Sequence, residues 1–501
     1  MSFVHNFPGF SIVLCMAAGI ISTPMKGKHA RRVTMAVVTL VFLASLASLS
    51  YVLKNGEPFI YTMGKFPAPW GNEIRAGVLE TLLAAFFSLI MLLSLAGGMD
   101  HVFQDVKEEK INLYFILIDL LLSSLLAIIY TNDLFTGYVF VEINTIAACG
   151  LIMIRERGRS LIAAIRYMIM SSIGSGLLLL GLAMLYGFTG HLLMQPAHEA
   201  IVAVEQANGG ALTVPILITI SVITVGLAIK SGLYPFHSWM PDAYGYSTIS
   251  SSSILSSLVS KSYIVFLIKF FYRVVGIDGI RDSGILNILF VLGLTGMILG
   301  SVGAIRANDI YRMIAYSSIA QIGYVYMGIG LGTALGMTAA VFHILTHAST
   351  KSLLFLSTKG LTDVSRNQRR FHYLQGAAFR DSFSGVAFLI GSLSMVGVPM
   401  LAGFISKILF ASASLDAGAA RTLSTLIVLA ISTILNAVYF LHTVIRIYTP
   451  VQIPEEVKDK KSRTGLAAKA ALLVLILINF GLGLFSQPVT DLIQMGLGMF
   501  S

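Results

Sequence analysis

Apolar residues in this chain come in blocks of about 20, separated by short stretches that hold glycine, proline and charge. A block of that length, wound as an α-helix, crosses a hydrocarbon core of ~30 Å. With a window of about 19 residues the pattern predicts an all-α polytopic membrane protein of about fourteen spans. They fall near 4–22, 34–53, 78–98, 113–131, 132–154, 165–187, 212–245, 250–273, 285–304, 310–331, 333–358, 384–414, 421–446 and 466–488. The seventh and twelfth segments are too long for one plain crossing, and each contains both glycine and proline.

Composition agrees with the pattern. Apolar residues make up 56% of the 501 residues, charged ones only 12%, and the mean hydropathy is +0.83; a soluble chain carries about 25% charged residues. Cys15 and Cys149 lie inside apolar blocks and form no CxxC pair. Disulfides, iron–sulfur clusters and zinc sites are therefore not expected, and no cofactor or metal is assigned. The net charge of +10 follows topology. Loops on one predicted side hold roughly 23 of the 34 Lys and Arg and the opposite loops about 6. Examples are Arg155, Arg157 and Arg159, then Arg366, Arg369 and Arg370, then Lys458, Lys460 and Lys461. The first span has no basic residues before it and Lys26, Lys28, Arg31 and Arg32 after it, the reverse of a signal peptide. The expectation is a multi-pass protein of the cell (cytoplasmic) membrane, surrounded by lipid, with both termini outside. Nucleic acid is excluded as a partner.

The charges left inside the spans carry the chemistry. They are Asp119, Glu142, Lys230, Lys261, Lys351 and Lys407, together with His343 and His347. A charged side chain at mid-bilayer costs ~2.5–3.5 kcal/mol on insertion scales, so half a dozen are a poor way to build a merely structural bundle. Asp119 and Lys351 lie nearer span ends, where snorkelling or a packing pair would account for them. Glu142, Lys230 and Lys407 are central. Buried lysines and carboxylates favour their neutral forms, so such groups are poised to exchange protons where an opposite charge can pair and withdraw.

Lys230 stands in Gly226–Pro235, GLAIKSGLYP, where Pro235 clashes with the carbonyl of Ser231 and should break the helix beside the lysine. Lys407 stands in Gly397–Lys407, GVPMLAGFISK, with Pro399 and Gly403 as the breakers. The two segments are five spans apart and hence opposite in direction, the sequence sign of an inverted-repeat transporter. Freed backbone groups at a break can face water, where an ion would bind. In span eleven His343, His347 and Lys351 recur at i, i+4 and i+8 on one helix face. With Thr350 they make a polar stripe suited to a proton relay or to interhelical hydrogen bonds. The serines at 250–253, 256 and 257, like Gly174 and Gly176, are read as letting helices approach closely.

Lys230–Tyr244, KSGLYPFHSWMPDAY, resembles the most recognisable stretch of the proton-conducting membrane transporter family, and makes His237 and Asp242 further candidates. Gly397–Lys407, with Glu142 in span five and Lys261 in span eight, completes the likeness. That family comprises antiporter-like subunits of respiratory complex I, of membrane-bound hydrogenases and of Mrp sodium/proton antiporters. The resemblance covers about residues 110–450. It implies N-terminal helices over 1–110, two inverted five-helix repeats over 111–275 and 276–447, and a final helix in 448–501. It also implies roles: Glu142 and Lys230 near a proton entry, Lys261, His343 and His347 as a bridge, and Lys407 near the exit.

The chain departs from complex I members in Tyr244–Thr248, YGYST, where many have further prolines, and in Val141–Gly150, VEINTIAACG. No long C-terminal lateral helix is expected either. These points favour a chain like the D-type component of Mrp antiporters, or its counterpart in a ferredoxin-linked hydrogenase complex, with similar membrane subunits as partners. A stand-alone sodium/proton antiporter and a quinone-linked NADH dehydrogenase component are the alternatives. No redox active site is read in this chain, and its cargo is protons, with sodium as the alternative ion.

Overall fold

The computed structural model describes residues 3–66, 72–209, 212–450 and 464–500. Its helices run α1 Phe7–Ser22, α2 Gly27–Asn55, α3 Val78–Asp105, α4 Ile111–Tyr130, α5 Leu134–Met153, α6 Gly158–Thr189 and α7 Met194–Ala207. They continue with α8 Val214–Ser231, α9 Met240–Tyr246, α10 Ile249–Ile254, α11 Ser260–Phe270, α12 Ile277–Asp282, α13 Ile285–Arg306 and α14 Ile310–Gly330. The rest are α15 Ala334–Asp363, α16 Ala377–Arg380, α17 Ser382–Val396, α18 Ala402–Leu415, α19 Ala419–Tyr448, α20 Leu466–Leu484 and α21 Ser486–Gly498. One hairpin, β1 Phe59–Thr62 with β2 Glu73–Ala76, pairs antiparallel with Phe59 opposite Ala76. Among the described residues, twelve helices are long and apolar enough to cross a membrane. The chain is a multi-pass membrane protein.

The breaks fall where Gly and Pro placed them. α8 ends at Ser231, one residue after Lys230, and Gly232 takes a left-handed conformation (φ 77°). α17 ends at Val396, and Gly397 is likewise left-handed (φ 91°). Gly403 acts differently from expectation. It lies inside α18, where a Cβ would stand 1.8 Å from the Ser394 carbonyl oxygen, so it lets the second half-helix press against the first. The last expected span, 466–488, is divided at Phe485 between α20 and α21. α7 and the hairpin escaped the apolar pattern, because neither contains an apolar run of membrane length. Lys458, Lys460 and Lys461 lie outside the described residues.

Helix approach by small residues is seen at Gly174, where a Cβ would meet the Gly226 carbonyl oxygen at 2.9 Å, so α6 and α8 touch backbone to backbone. Gly176 plays no such part; nothing lies within 4 Å of its Cβ position. The segment Ile249–Val275 and α15 are buried along nearly all their length, whereas α2, α6 and α19 bury only between a third and two-fifths of their apolar stretches. The helices with the polar stripe are thus enclosed by others, which keeps their charges away from lipid tails.

Candidate functional site

Lys230 is wholly enclosed, and its ammonium finds three acceptors: Glu142 Oε1 at 3.0 Å, Thr145 Oγ1 at 2.8 Å and Ser171 Oγ at 3.2 Å. Three donors meet three oxygens on α5 and α6, which the contact at Gly174 brings within reach. Glu142 also accepts a bond from Ser175. The pair is lopsided, because the Lys230 side chain is 0% exposed and that of Glu142 30%. The carboxylate therefore lies on the flank of this chain, between the buried lysine and whatever covers α5 and α6. The Tyr263 ring lies 5.7 Å from the Lys230 ammonium, and its hydroxyl donates to Asn144 Oδ1 at 2.9 Å.

Lys261, Lys351 and Lys407 have no carboxylate within ion-pair distance among the described residues. Each is held by neutral oxygens. The residues Leu255–Val259 wind as a π-turn between α10 and α11, and Lys261 donates to the Ser256 carbonyl within it and to Ser260 Oγ at 3.2 Å. Lys351 donates to the Ile314 carbonyl at 3.0 Å and to Ser317 Oγ. Lys407 reaches back across the break to the Val396 carbonyl at 2.6 Å, an orphan acceptor at the end of α17, and to Thr433 Oγ1 at 2.9 Å. Such acceptors hold an ammonium without a counter-charge. Of the two structural readings of Lys351 and Asp119, snorkelling from a span end fails, since both are fully buried in mid-helix.

His343 and His347 stack with ring centroids 6.2 Å apart, and His343 Nδ1 is hydrogen-bonded to Ser406 Oγ at 2.5 Å. Ser406 precedes Lys407, so the stripe on α15 ends beside the second broken helix. The Nε2 atoms of both histidines are buried without a protein partner among the described residues. Thr350 turns away and donates to Asn479 on α20.

The serine run does more than permit close packing. Ser94 meets Ser253 at 2.8 Å and Ser352 at 3.2 Å, Ser257 meets Ser352 at 2.9 Å, and Ser256 meets Ser318 at 2.9 Å. These hydroxyls tie α3, α10, α14 and α15 together around Lys261 and Lys351. Other candidates stay apart from the lysines. Asp119 accepts from Thr34 at 2.9 Å among the N-terminal helices, His237 stacks on Tyr234, and Asp242 is paired with Arg166 at 2.5 Å and Arg312 at 3.5 Å. Sequence reasoning missed Lys269, also fully buried, which donates to the Ile129 and Thr131 carbonyls at 2.7 and 2.6 Å and so caps α4. Its place eight residues after Lys261, on the same helix face, was the available signal.

Residues 131–435 match the family described as NADH:quinone oxidoreductase/Mrp antiporter, TM. The chain is 33% identical over 481 residues to the NADH-quinone oxidoreductase subunit N of Desulforudis audaxviator, covering 93% of each chain. Its fold is similar to a chain in the structure of the Mrp complex from Dietzia sp., with TM-score 0.87 and 23% identity over 99% of this chain and 97% of that one. It is also similar to a chain of the membrane-bound sulfane sulfur reductase, an archaeal respiratory membrane complex, with TM-score 0.85 and 24% identity over 99% and 96%.

Proposed function

The chain belongs to the NADH:quinone oxidoreductase/Mrp antiporter transmembrane family, and on that footing we propose that it is a proton-translocating, antiporter-like subunit of a multi-subunit membrane complex. The observation that carries the reading is the Glu142–Lys230 ion pair at 3.0 Å, followed by buried Lys261 and Lys351 and half-buried Lys407, each held only by neutral oxygens. A proton arriving at the Glu142 carboxylate weakens its hold on Lys230. The released ammonium repels a neighbouring charge, and the buried hydroxyls and the two histidines offer a path toward Lys407. The breaks at Gly232 and Gly397 support two inverted repeats over residues 111–275 and 276–447. The basic loops at residues 154–159 and 366–370 support a cytoplasmic face there, with both termini outside. Other membrane subunits, similar antiporter-like ones among them, are its partners.

The test is proton movement in proteoliposomes containing the whole complex. Lys261→Met removes the amine between the two broken helices and should slow transport by at least about tenfold, with the complex assembled. A native rate in that variant would remove Lys261 from the path. On α15 the result should be graded: His347→Ala slows transport, and His343→Ala together with it slows it further, because water can bridge one missing group. A double variant that pumps at the native rate would reduce the stripe to packing.

A further inference from the structure

The positive-inside rule requires basic residues on one face, but it is indifferent to where on that face they stand. Here they converge. Arg155 and Arg157 from the loop before α6, Arg159 from the first turn of α6, Arg312 from α14, and Arg369 and Arg370 from the loop after α15 line a single open cavity of about 550 Å³. Six guanidiniums drawn from three separate stretches repel one another unless something anionic lies among them.

The carboxylates nearby do not balance them. Asp105 is shared by Arg155 at 2.9 Å and Arg157 at 3.6 Å. Asp242 is shared by Arg312 and Arg166. Asp309 accepts from the Arg312 backbone N–H at 2.9 Å and so caps α14. Arg159, Arg369 and Arg370 have no carboxylate at ion-pair distance among the described residues. Arg369 is instead pinned over the Tyr311 ring at 4.6 Å and donates to the Gly245 carbonyl, while Arg159 lies over Tyr246 at 5.7 Å. Burial first, and then the cations of Arg369 and Arg157, hold the Arg155 guanidinium pKa below its usual value despite the opposing charge of Asp105.

We propose that this cavity binds the phosphate headgroup of an anionic phospholipid. The surroundings favour a lipid over a free phosphate. Below the cavity α6 turns Ile162, Ile165 and Ile169 outward, and α13 ends with exposed Ile305 beside Arg306. A headgroup among the arginines would thus have its acyl chains on an apolar surface continuous with the charged one. Basic pockets between membrane helices are common seats for such headgroups.

The experiment uses the full-length chain, purified in neutral detergent and titrated with phosphatidylglycerol, phosphatidylcholine or inorganic phosphate. Retained lipid is counted by native mass spectrometry, and unfolding temperature is followed in parallel. Phosphatidylglycerol should bind and raise the unfolding temperature, and the other two should not. Each of Arg159→Gln and Arg370→Gln, at exposed positions without a carboxylate partner, should weaken phosphatidylglycerol binding about fivefold. Arg32→Gln, exposed on the same face away from the cavity, should leave it unchanged. Three results would overturn the proposal: equal binding by both cavity variants and the native chain, an equal loss in Arg32→Gln, or equal stabilisation by inorganic phosphate. The last would make this a soluble-anion site. Failure of phosphatidylglycerol to bind the native chain would also end it, and would turn attention to an acidic segment of a neighbouring protein in the complex.

Discussion

Replacing Glu142 with Gln is expected to abolish proton translocation while the complex still assembles. Glutamine has nearly the shape of glutamate and keeps an oxygen for Ser175 and for the Lys230 ammonium, which now stands 3.0 Å from the carboxylate. What it loses is the charge that holds Lys230 and the capacity to take up and release a proton. Removing one partner of a fully buried ion pair is strongly destabilising. Here Lys230 retains Thr145 and Ser171 as acceptors, and the Glu142 side chain is 30% exposed, so the fold should tolerate the change. A loss on the order of a hundredfold or more is expected if the carboxylate is an obligatory proton carrier. Ion flux in vesicles, normalised to the amount of chain in the purified complex, decides the matter. Normal flux with normal assembly would sink the role.

Lys407→Arg separates two readings of the second broken helix. As a structural cation, Lys407 would need only a positive charge beside the Val396 carbonyl and Thr433, and arginine would serve. As a carrier it must shed its proton in the membrane interior, which an amine permits and a guanidinium with pKa above ~12 does not. The expected outcome is a complex that assembles with an unchanged unfolding temperature and transports on the order of a hundredfold more slowly, with Lys407→Ala equally inactive. The measurement is gradient-driven or reaction-driven proton movement in proteoliposomes of the whole complex at matched protein content. Full activity of the arginine variant would show that Lys407 never gives up its proton.

Much of the candidate site was legible residue by residue, and the reason is local. A charge inside an apolar block is conspicuous because the membrane makes it expensive, and a helix break is written in its own Gly and Pro. Glu142, Lys230 and Lys407 were found that way. Position along a span was a poorer guide to environment. Asp119 and Lys351 looked like span-end residues, yet α4 and α15 bury both in mid-helix. Gly403 looked like a breaker and proved to be a contact, because the role of a glycine depends on what lies opposite it, here Ser394.

The amino-acid sequence by itself determined that the chain is helical and multi-pass, where α8 and the α17–α18 pair break, and most of the ionisable groups that its helices bury. Each of these follows from the solvation and backbone chemistry of about 20 neighbouring residues. The tertiary structure alone decided how those groups are satisfied. It put Thr145 and Ser171 on the Lys230 ammonium, opened a π-turn before Lys261, joined Ser94, Ser257 and Ser352, and gathered six arginines from three stretches into one cavity. Apart from the π-turn, these bring together residues tens to hundreds of positions apart. They depend on how closely particular helices pack, which no single span encodes.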